Sequence, residues 1–485
     1  MRILLASSEV FPFAKTGGLA DVAGALPKAL QKLGVDVRVI MPKYKGIEEK
    51  EFPVNYNGLR ISCAVSQSIV DAEIVESRYN GIPVYLVDKD EYYYRDNLYS
   101  TQDGDYIDNA ERFIFFSKSI IEAIKVTGFA PHVVHCNDWQ TALVPVFLKT
   151  LYRQDPLLSR IATLLTIHNL GYQGLFWHLD WHLLNIGWEY FTPDSLEFYG
   201  KINFLKGGIV FADIINTVSK KYSQEIQTPE FGSGLDGILT TRKDDLYGIV
   251  NGIDYDDWSP DKDPYIPAAF DADHLSNKAA SKAELQRVFG LPVDKAIPVI
   301  SSISRLADQK GFDLVSEGFE RLVSLKVQYI LLGTGERKYH ELFAQLARKY
   351  PKAFSVKIAY DNALAHLIEA GSDMFLMPSQ YEPCGLNQLY SLKYGTVPIV
   401  RATGGLDDTI TDNPLIPETQ TGFKFYEYSI DAMIAAIERA LTAYKDGKDW
   451  LSLAKRCMAQ DFSWQKSAAE YAALYEKAIQ RHEFR

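Results

Sequence analysis

The chain uses one short phrase twice, and that repetition limits the folds open to it. Lys15-Thr16-Gly17-Gly18-Leu19-Ala20-Asp21-Val22 follows an apolar, strand-like run near the start. Ala402-Thr403-Gly404-Gly405-Leu406-Asp407-Asp408-Thr409 follows another near the end. The shared pattern is Thr-Gly-Gly-Leu-x-Asp. Adjacent glycines at a helix start let backbone N–H groups come close to a bound group, because no Cβ intervenes. The helix start also carries unpaired N–H groups and about half a positive charge. Strand, double glycine and helix together make a candidate anion cradle, with a plain helix cap as the alternative. One copy in each half points to a strand-to-helix unit in each half.

The rest of the chain keeps that rhythm. Leu19, Val22, Ala23, Leu26, Leu30 and Leu33 have helical spacing, Gly34 suits the C′ position, and Val35–Met41 reads as the next strand. Residues 45–100 change character: alternating runs at Arg60–Val65 and Val84–Val87 predict a strand-rich insertion that ends in Tyr92-Tyr93-Tyr94-Arg95-Asp96. A helix at about 108–127, strands at His132–Cys136, Ala162–Ile167, Ile214–Val218 and Leu246–Val250, and a helix near 204–212 complete the first half. Asn251-Gly252-Ile253-Asp254 breaks the pattern, and the Asp- and Pro-rich stretch after it reads as a crossing segment. A second series follows, with strands at about 298–303, 327–332, 354–359, 373–377 and 397–401 and a helical tail from about Asp431 to Arg481. The domains expected are therefore 1–250, a crossing segment 251–267, 268–460, and a terminal helix 461–485. In open α/β sheets ligands collect beyond the C-terminal strand ends, so two such edges facing each other would make a deep cleft.

Composition removes several function classes. With 485 residues the chain exceeds a single ordinary core. Fifty-one Lys and Arg against 62 Asp and Glu leave a net charge of −11, which argues against a general nucleic-acid binder. No apolar run is long enough to span a membrane, and Arg2-Ile3-Leu4-Leu5-Ala6 reads as a buried strand rather than a secretion signal. The four cysteines are scattered with no CxxC, which fits a reducing, cytoplasmic setting. The histidines are dispersed and no HExxH occurs, so no metal cofactor is expected. Gly333-Thr334-Gly335 follows a strand, but Lys338 stands where a dinucleotide fingerprint needs its third glycine.

Polar residues gather at predicted strand ends. Arg305 and Lys310 bracket the loop Ser304–Gly311, where two cations suit a diphosphate. Pro378-Ser379-Gln380-Tyr381-Glu382-Pro383-Cys384-Gly385-Leu386 follows another strand and opens a helix, with Glu382 held before a proline and N–H groups at Gly385 and Leu386. His135-Cys136-Asn137-Asp138 and Thr166-Ile167-His168-Asn169 end two strands of the first half.

In order and nearly end to end, the phrases KTGGLADV, HCNDWQ, TIHNLGYQG, NFLKGGIVFAD, GIVNGID, SRLADQKG, PSQYEPCGLNQL and ATGGLDDT resemble bacterial glycogen synthases and plant starch synthases. The resemblance implies the GT-B fold: two Rossmann-like, doubly wound α/β domains with the active site in the cleft between them and a terminal helix crossing back to the first. It implies a metal-free transfer of glucose from ADP-glucose to the non-reducing end of an α-1,4-glucan such as glycogen, starch or malto-oligosaccharide, with retention and release of ADP. By motif, Lys15, Gly17 and Gly18 would contact the donor, with Asp21 capping or bracing them. Arg305, Lys310 and the helix start at Thr403, Gly404 and Gly405 would neutralise the diphosphate. Asp138 and Asn251 would bind the glucosyl unit or the acceptor, His168 would lie near the anomeric centre and the glucose 6-hydroxyl, and Asn169 beside it would be a further substrate contact. Glu382 would hold a glucose hydroxyl or stabilise positive charge on the sugar, with Cys384, Gly385 and Leu386 lining that pocket. Tyr360 would stack near the adenine. Tyr93 and Tyr94 belong to an aromatic cluster suited to glucan rings, a packed loop being the alternative.

Retention admits a double displacement through Glu382 or same-face attack guided by the leaving phosphate, and no unambiguous nucleophile stands out. The resemblance also leaves open a weakly active glucan-binding paralogue or another nucleotide-sugar donor. A chain starting at Met1 with no transit segment points to the bacterial cytoplasm before the plastid stroma. No nucleic-acid or membrane partner is expected.

Overall fold

A computed structural model describes residues 1–48, 52–101 and 104–484. The chain divides into two compact units, one made of Met1–Val218, Ser223–Gly252 and the residues from Trp464 onward, the other of Ser219–Tyr222 and Ile253–Ser463.

In unit 1, β1 (Arg2–Ala6) leads through α1 (Gly18–Lys32) to β2 (Asp36–Pro42). The insertion supplies β3 (Asn55–Val65), β4 (Ser68–Tyr79) and β5 (Ile82–Asp88), and α2 (Asn109–Thr127) returns the chain to β6 (Val133–Asn137), β7 (Ala162–Ile167), β8 (Ile214–Thr217) and β9 (Leu246–Gly248). The sheet order is β9-β8-β7-β6-β1-β2-β5-β4-β3, parallel throughout except where β4 runs antiparallel to both its neighbours. β6 and β7 are buried at every position, so they show no alternation of buried and exposed residues, although His135, Asn137, Thr163 and Thr166 stand among the apolar ones. α1 buries Leu19, Val22, Ala23, Leu26 and Leu30 along one stripe. Gly34 closes it at φ +80°, its N–H donating to the Gln31 carbonyl at 2.9 Å. A small sheet of Leu175–Trp177, Glu197–Phe198 and Lys201–Asn203 lies outside this rhythm, and short turns of 3-10 helix hide it from periodicity.

Unit 2 holds β10 (Val299–Ile303), β11 (Gln328–Gly333), β12 (Phe354–Ile358), α3 (Asn362–Gly371), β13 (Met374–Met377), α4 (Asn387–Lys393), β14 (Val397–Arg401), α5 (Gly404–Thr409) and β15 (Phe423–Phe425). Its six strands are all parallel in the order β12-β11-β10-β13-β14-β15, the doubly wound order of a Rossmann sheet. β15 is three residues long, too short to mark itself in the sequence.

The tail expected as one helical stretch is three helices. Asp446 accepts from the N–H groups of Lys448 and Asp449 at 3.2 Å each, so it caps a second helix instead of continuing the first. The third, α6 (Trp464–Glu483), packs on unit 1. Ser467 Oγ donates to the Val250 carbonyl at 2.7 Å, and near the far end Arg481 pairs with Asp245 at 3.0 Å. A Cβ on Gly252 would stand 2.6 Å from the Trp464 Cα, so only glycine lets the chain and this helix pass so closely.

Candidate active site

Each sheet has one point where the chain reverses its direction of winding, and ligands of such folds bind beyond the strand ends there. In unit 2 that point lies between β10 and β13. The loop after β10 carries Arg305 and Lys310, and the loop after β13 carries Ser379 and Glu382. The two loops meet: Lys310 Nζ sits 2.6 Å from Glu382 Oε2, and Ser379 Oγ donates to the same oxygen at 3.1 Å. Glu382 is 5% exposed. Arg305 is exposed, and its guanidinium reaches Gln309 of its own loop at 3.4 Å.

Close backbone approach fixes these loops. A Cβ on Gly311, which stands at φ +75°, would fall 2.0 Å from the Pro378 carbonyl oxygen. The second Thr-Gly-Gly phrase does the same on the other side. Thr403 is buried, Gly404 adopts φ +45°, and Gly405 N–H donates to the Glu382 carbonyl at 3.1 Å. Its N–H is thus spent on the Glu382 loop, so the phrase braces that loop as well as opening α5. Cys384 is buried, Gly385 stands at φ +72°, and Leu386 is the N-cap of α4, with Gln388 Nε2 donating to the Cys384 and Gly385 carbonyls at 3.0 Å. Tyr360 is 79% exposed just before Asp361, which caps α3.

In unit 1 the corresponding point lies between β1 and β6, where Asn137 Nδ2 donates to the Ala6 carbonyl at 3.0 Å. Asp138 follows at φ +54°, a left-handed backbone rare outside glycine. Its carboxylate accepts the His168 N–H at 2.7 Å, and burial pushes its pKa up to about 7. His168 Nε2 lies 2.8 Å from Asn137 Oδ1, and burial pushes its pKa down to about 3, so the ring is neutral. Asn137 Oδ1 can only accept, so Nε2 carries the proton and Nδ1 is the acceptor atom. Asn169 folds back on its own turn, accepting from Gly171 N–H at 2.9 Å. Asn251 is 5% exposed, and its Oδ1 finds no hydrogen-bond partner among the described residues. A buried acceptor left open in this way suits a ligand hydroxyl.

The first Thr-Gly-Gly phrase is held from within. Glu9, 4% exposed, accepts from Thr16 N–H, from Thr16 Oγ1 at 2.6 Å, from Gly17 N–H at 3.2 Å and from Tyr99 Oη at 2.7 Å. The Gly17 amide assigned to the donor is therefore used by the chain's own carboxylate in this structure. Gly18 is exposed at the start of α1, and Lys15 pairs with Asp21 at 2.7 Å, so Asp21 braces Lys15. Sequence reasoning missed Glu9, whose one signal was a carboxylate set among buried residues just after β1. It also missed Ser379 and Asn137 as partners of Glu382 and His168.

One expectation is corrected. Tyr93 is fully buried, its hydroxyl donates to the Arg112 carbonyl at 3.1 Å, and its ring packs edge-on against Tyr44. It is a core residue and offers no face to a sugar. Tyr94, 56% exposed with Lys45 over its ring, is the member of that cluster turned to solvent.

A family profile described as the starch synthase catalytic domain matches residues 2–241, and one described as glycosyl transferases group 1 matches residues 283–456. A glycogen synthase of Koribacter versatilis is 50% identical, covering 99% of each chain. One of Syntrophotalea carbinolica is 47% identical, over 99% of this chain and all of its own. The catalytic domain of starch synthase IV from Arabidopsis thaliana, solved bound to ADP and acarbose, superposes with a TM-score of 0.91 at 33% identity over 99% of both chains.

Proposed function

Because the chain belongs to the family of glycogen synthases and starch synthases, we propose that it moves glucose from ADP-glucose to the non-reducing end of an α-1,4-glucan, with retention and without a metal. It is a glycosyltransferase of the GT-B class acting in glucan synthesis. The observation that carries the detailed reading is the Lys310–Glu382 pair at the reversal point of unit 2, with Arg305 on the same loop.

The reaction separates charge: the diphosphate leaves as the sugar becomes oxocarbenium-like. Lys310 and Arg305 supply fixed positive charge for the leaving oxygens, where such preorganised groups are worth most. Glu382 acts on the other half of the separated charge. Lys310 and Ser379 both draw on Oε2, which weakens the carboxylate as a nucleophile, so we assign it an electrostatic role and favour same-face attack by the acceptor hydroxyl. Neutral His168 offers Nδ1 as an acceptor, and the open Asn251 Oδ1 binds a sugar hydroxyl. Tyr94 presents a ring face to glucan, and Tyr360 one to the adenine. The four cysteines are buried thiols, which suits our assignment to a reducing cytoplasm.

The experiment is direct. Purified protein, ADP-glucose and glycogen are incubated with EDTA, and ADP release and incorporated glucose are measured, with UDP-glucose in parallel. Stoichiometric ADP and product fully digested by an exo-acting α-1,4-glucosidase are expected. No transfer, transfer abolished by EDTA, or preference for UDP-glucose would each overturn the corresponding part of the proposal.

A further inference from the structure

α6, a part of unit 1, meets the sheet through polar as well as apolar contacts. It buries Tyr471 and Tyr475, one turn apart, each fully. Phenylalanine would fill the same space with no hydroxyl to satisfy, so a buried tyrosine tip calls for a partner. Each hydroxyl meets a polar side chain on the sheet. Tyr475 Oη lies 2.9 Å from His135 Nδ1 on β6, and Asn216 Nδ2 on β8 donates to Tyr471 Oη at 3.1 Å. Both routes converge on β7 between them: His135 Nε2 is 2.7 Å from Thr166 Oγ1, and Asn216 Nδ2 reaches the same oxygen at 3.3 Å. Thr166 is the register partner of both Asn137 and Asn216.

Thr166 is also where the half-site of unit 1 begins. Its carbonyl accepts the Asp138 N–H at 2.9 Å, and the Asp138 carboxylate in turn holds the His168 N–H. Asp138 keeps a left-handed backbone that a non-glycine residue adopts only where its surroundings fix it. His135 and His168 are both neutral, so the links are fixed hydrogen bonds rather than charge pairs.

We propose that Tyr475 and Tyr471 are positioning residues for the Asp138–His168 half-site, acting through His135, Asn216 and Thr166. The proposal rests on the transferase reading above, and gives the terminal helix a part in the chemistry besides covering the sheet. Asp138 is faced by the backbone N–H groups of His168 and Asn169 after β7 and by Glu9 in the loop after β1, and on this proposal these, with its burial, would set the acid limb of turnover. Loosening Thr166 moves Asp138 away from the N–H groups that favour its charged form, so the limb moves to higher pH.

The test compares Tyr475→Phe, Tyr471→Phe and Arg481→Ala with the wild-type chain. Arg481 ties the same helix to Asp245 but touches none of these links. For each protein kcat and KM for ADP-glucose and for glycogen are measured across pH, with thermal midpoints by circular dichroism. For Tyr475→Phe we expect a roughly tenfold fall in kcat, the scale of one lost buried hydrogen-bond partner, an unchanged KM for ADP-glucose and an acid limb moved up. For Arg481→Ala we expect a lowered midpoint with kcat and its pH limb unchanged. Equal kcat losses in Tyr475→Phe and Arg481→Ala, or a folded Tyr475→Phe with wild-type kcat and limb, would overturn the proposal. Should Tyr475→Phe fail to fold, the same two criteria are read from Tyr471→Phe. Absence of transfer by the wild-type chain would instead count against the transferase reading.

Discussion

Lys310 and Glu382 form a pair 2.6 Å apart, and on the proposed function a donor diphosphate would compete for the same ammonium. Lys310→Ala is expected to cost about 2–4 kcal/mol of transition-state stabilisation, the scale of losing one preorganised charge contact, and to lower kcat/KM by about 1.5 to 3 orders of magnitude. Steady-state rates with ADP-glucose check it, and near-normal turnover would move the diphosphate elsewhere. Asp138 behaves in the opposite sense. Burial raises its pKa to about 7 in the folded chain, so the folded state holds a proton that the unfolded state releases near pH 4. Stability contributed by this group is therefore greatest at low pH and declines as pH rises toward about 7. Asp138→Asn removes the buried charge. It should be more resistant to urea than wild type at pH 8, the gap narrowing at pH 5 and closing at about pH 4, while activity is lost throughout. A gap that does not depend on pH would refute the assignment. Arg305, Lys310 and Glu382 were legible from strand-end loops. That Lys310 and Glu382 touch was not, because they lie on loops after different strands and only the sheet order brings them together.

The elements show what periodicity can and cannot report. β7 and β11 were plain as largely apolar runs because parallel strands are buried on both faces, whereas β6 carries His135 and Asn137 within its buried length. β15 and the small sheet around Leu175–Trp177 were not, since strands of three residues carry no period. Tyr93 failed for a different reason: three consecutive tyrosines look alike in sequence, and only the turn of the short helix Asp90–Tyr93 decides which ring faces the core. The double glycines were legible as special positions but not in their partner. A Cβ on Gly405 would stand 2.1 Å from the Cys384 carbonyl oxygen, so the second phrase is a seat for the Glu382 loop. Gly405→Ala must push that loop aside. It should cost about 2 kcal/mol or more of stability and weaken ADP binding, measured by chemical denaturation and titration calorimetry. Unchanged ADP affinity would separate the phrase from the donor site.

For the whole molecule, connectivity matters more than composition. Unit 2 is nearly one continuous stretch, Ile253–Ser463, whereas unit 1 takes its last helix from the far end of the chain. The fragment 253–463 should therefore fold cooperatively and bind ADP in calorimetry. Residues 1–252 alone should aggregate, because β6, β7 and β8 lose the cover of Tyr471, Tyr475 and their neighbours on α6, and a linked segment 464–484 should restore solubility. A soluble, cooperatively melting 1–252 fragment would refute this. The discontinuity also sets an order on the ribosome. The N-terminal unit is synthesised first but completed only after unit 2, since α6 follows the whole of residues 253–463 in the chain. The sheet made earliest thus waits, one face unfinished, while the later unit is being built, and a ribosome that stops short of Trp464 releases a chain whose first half cannot be completed.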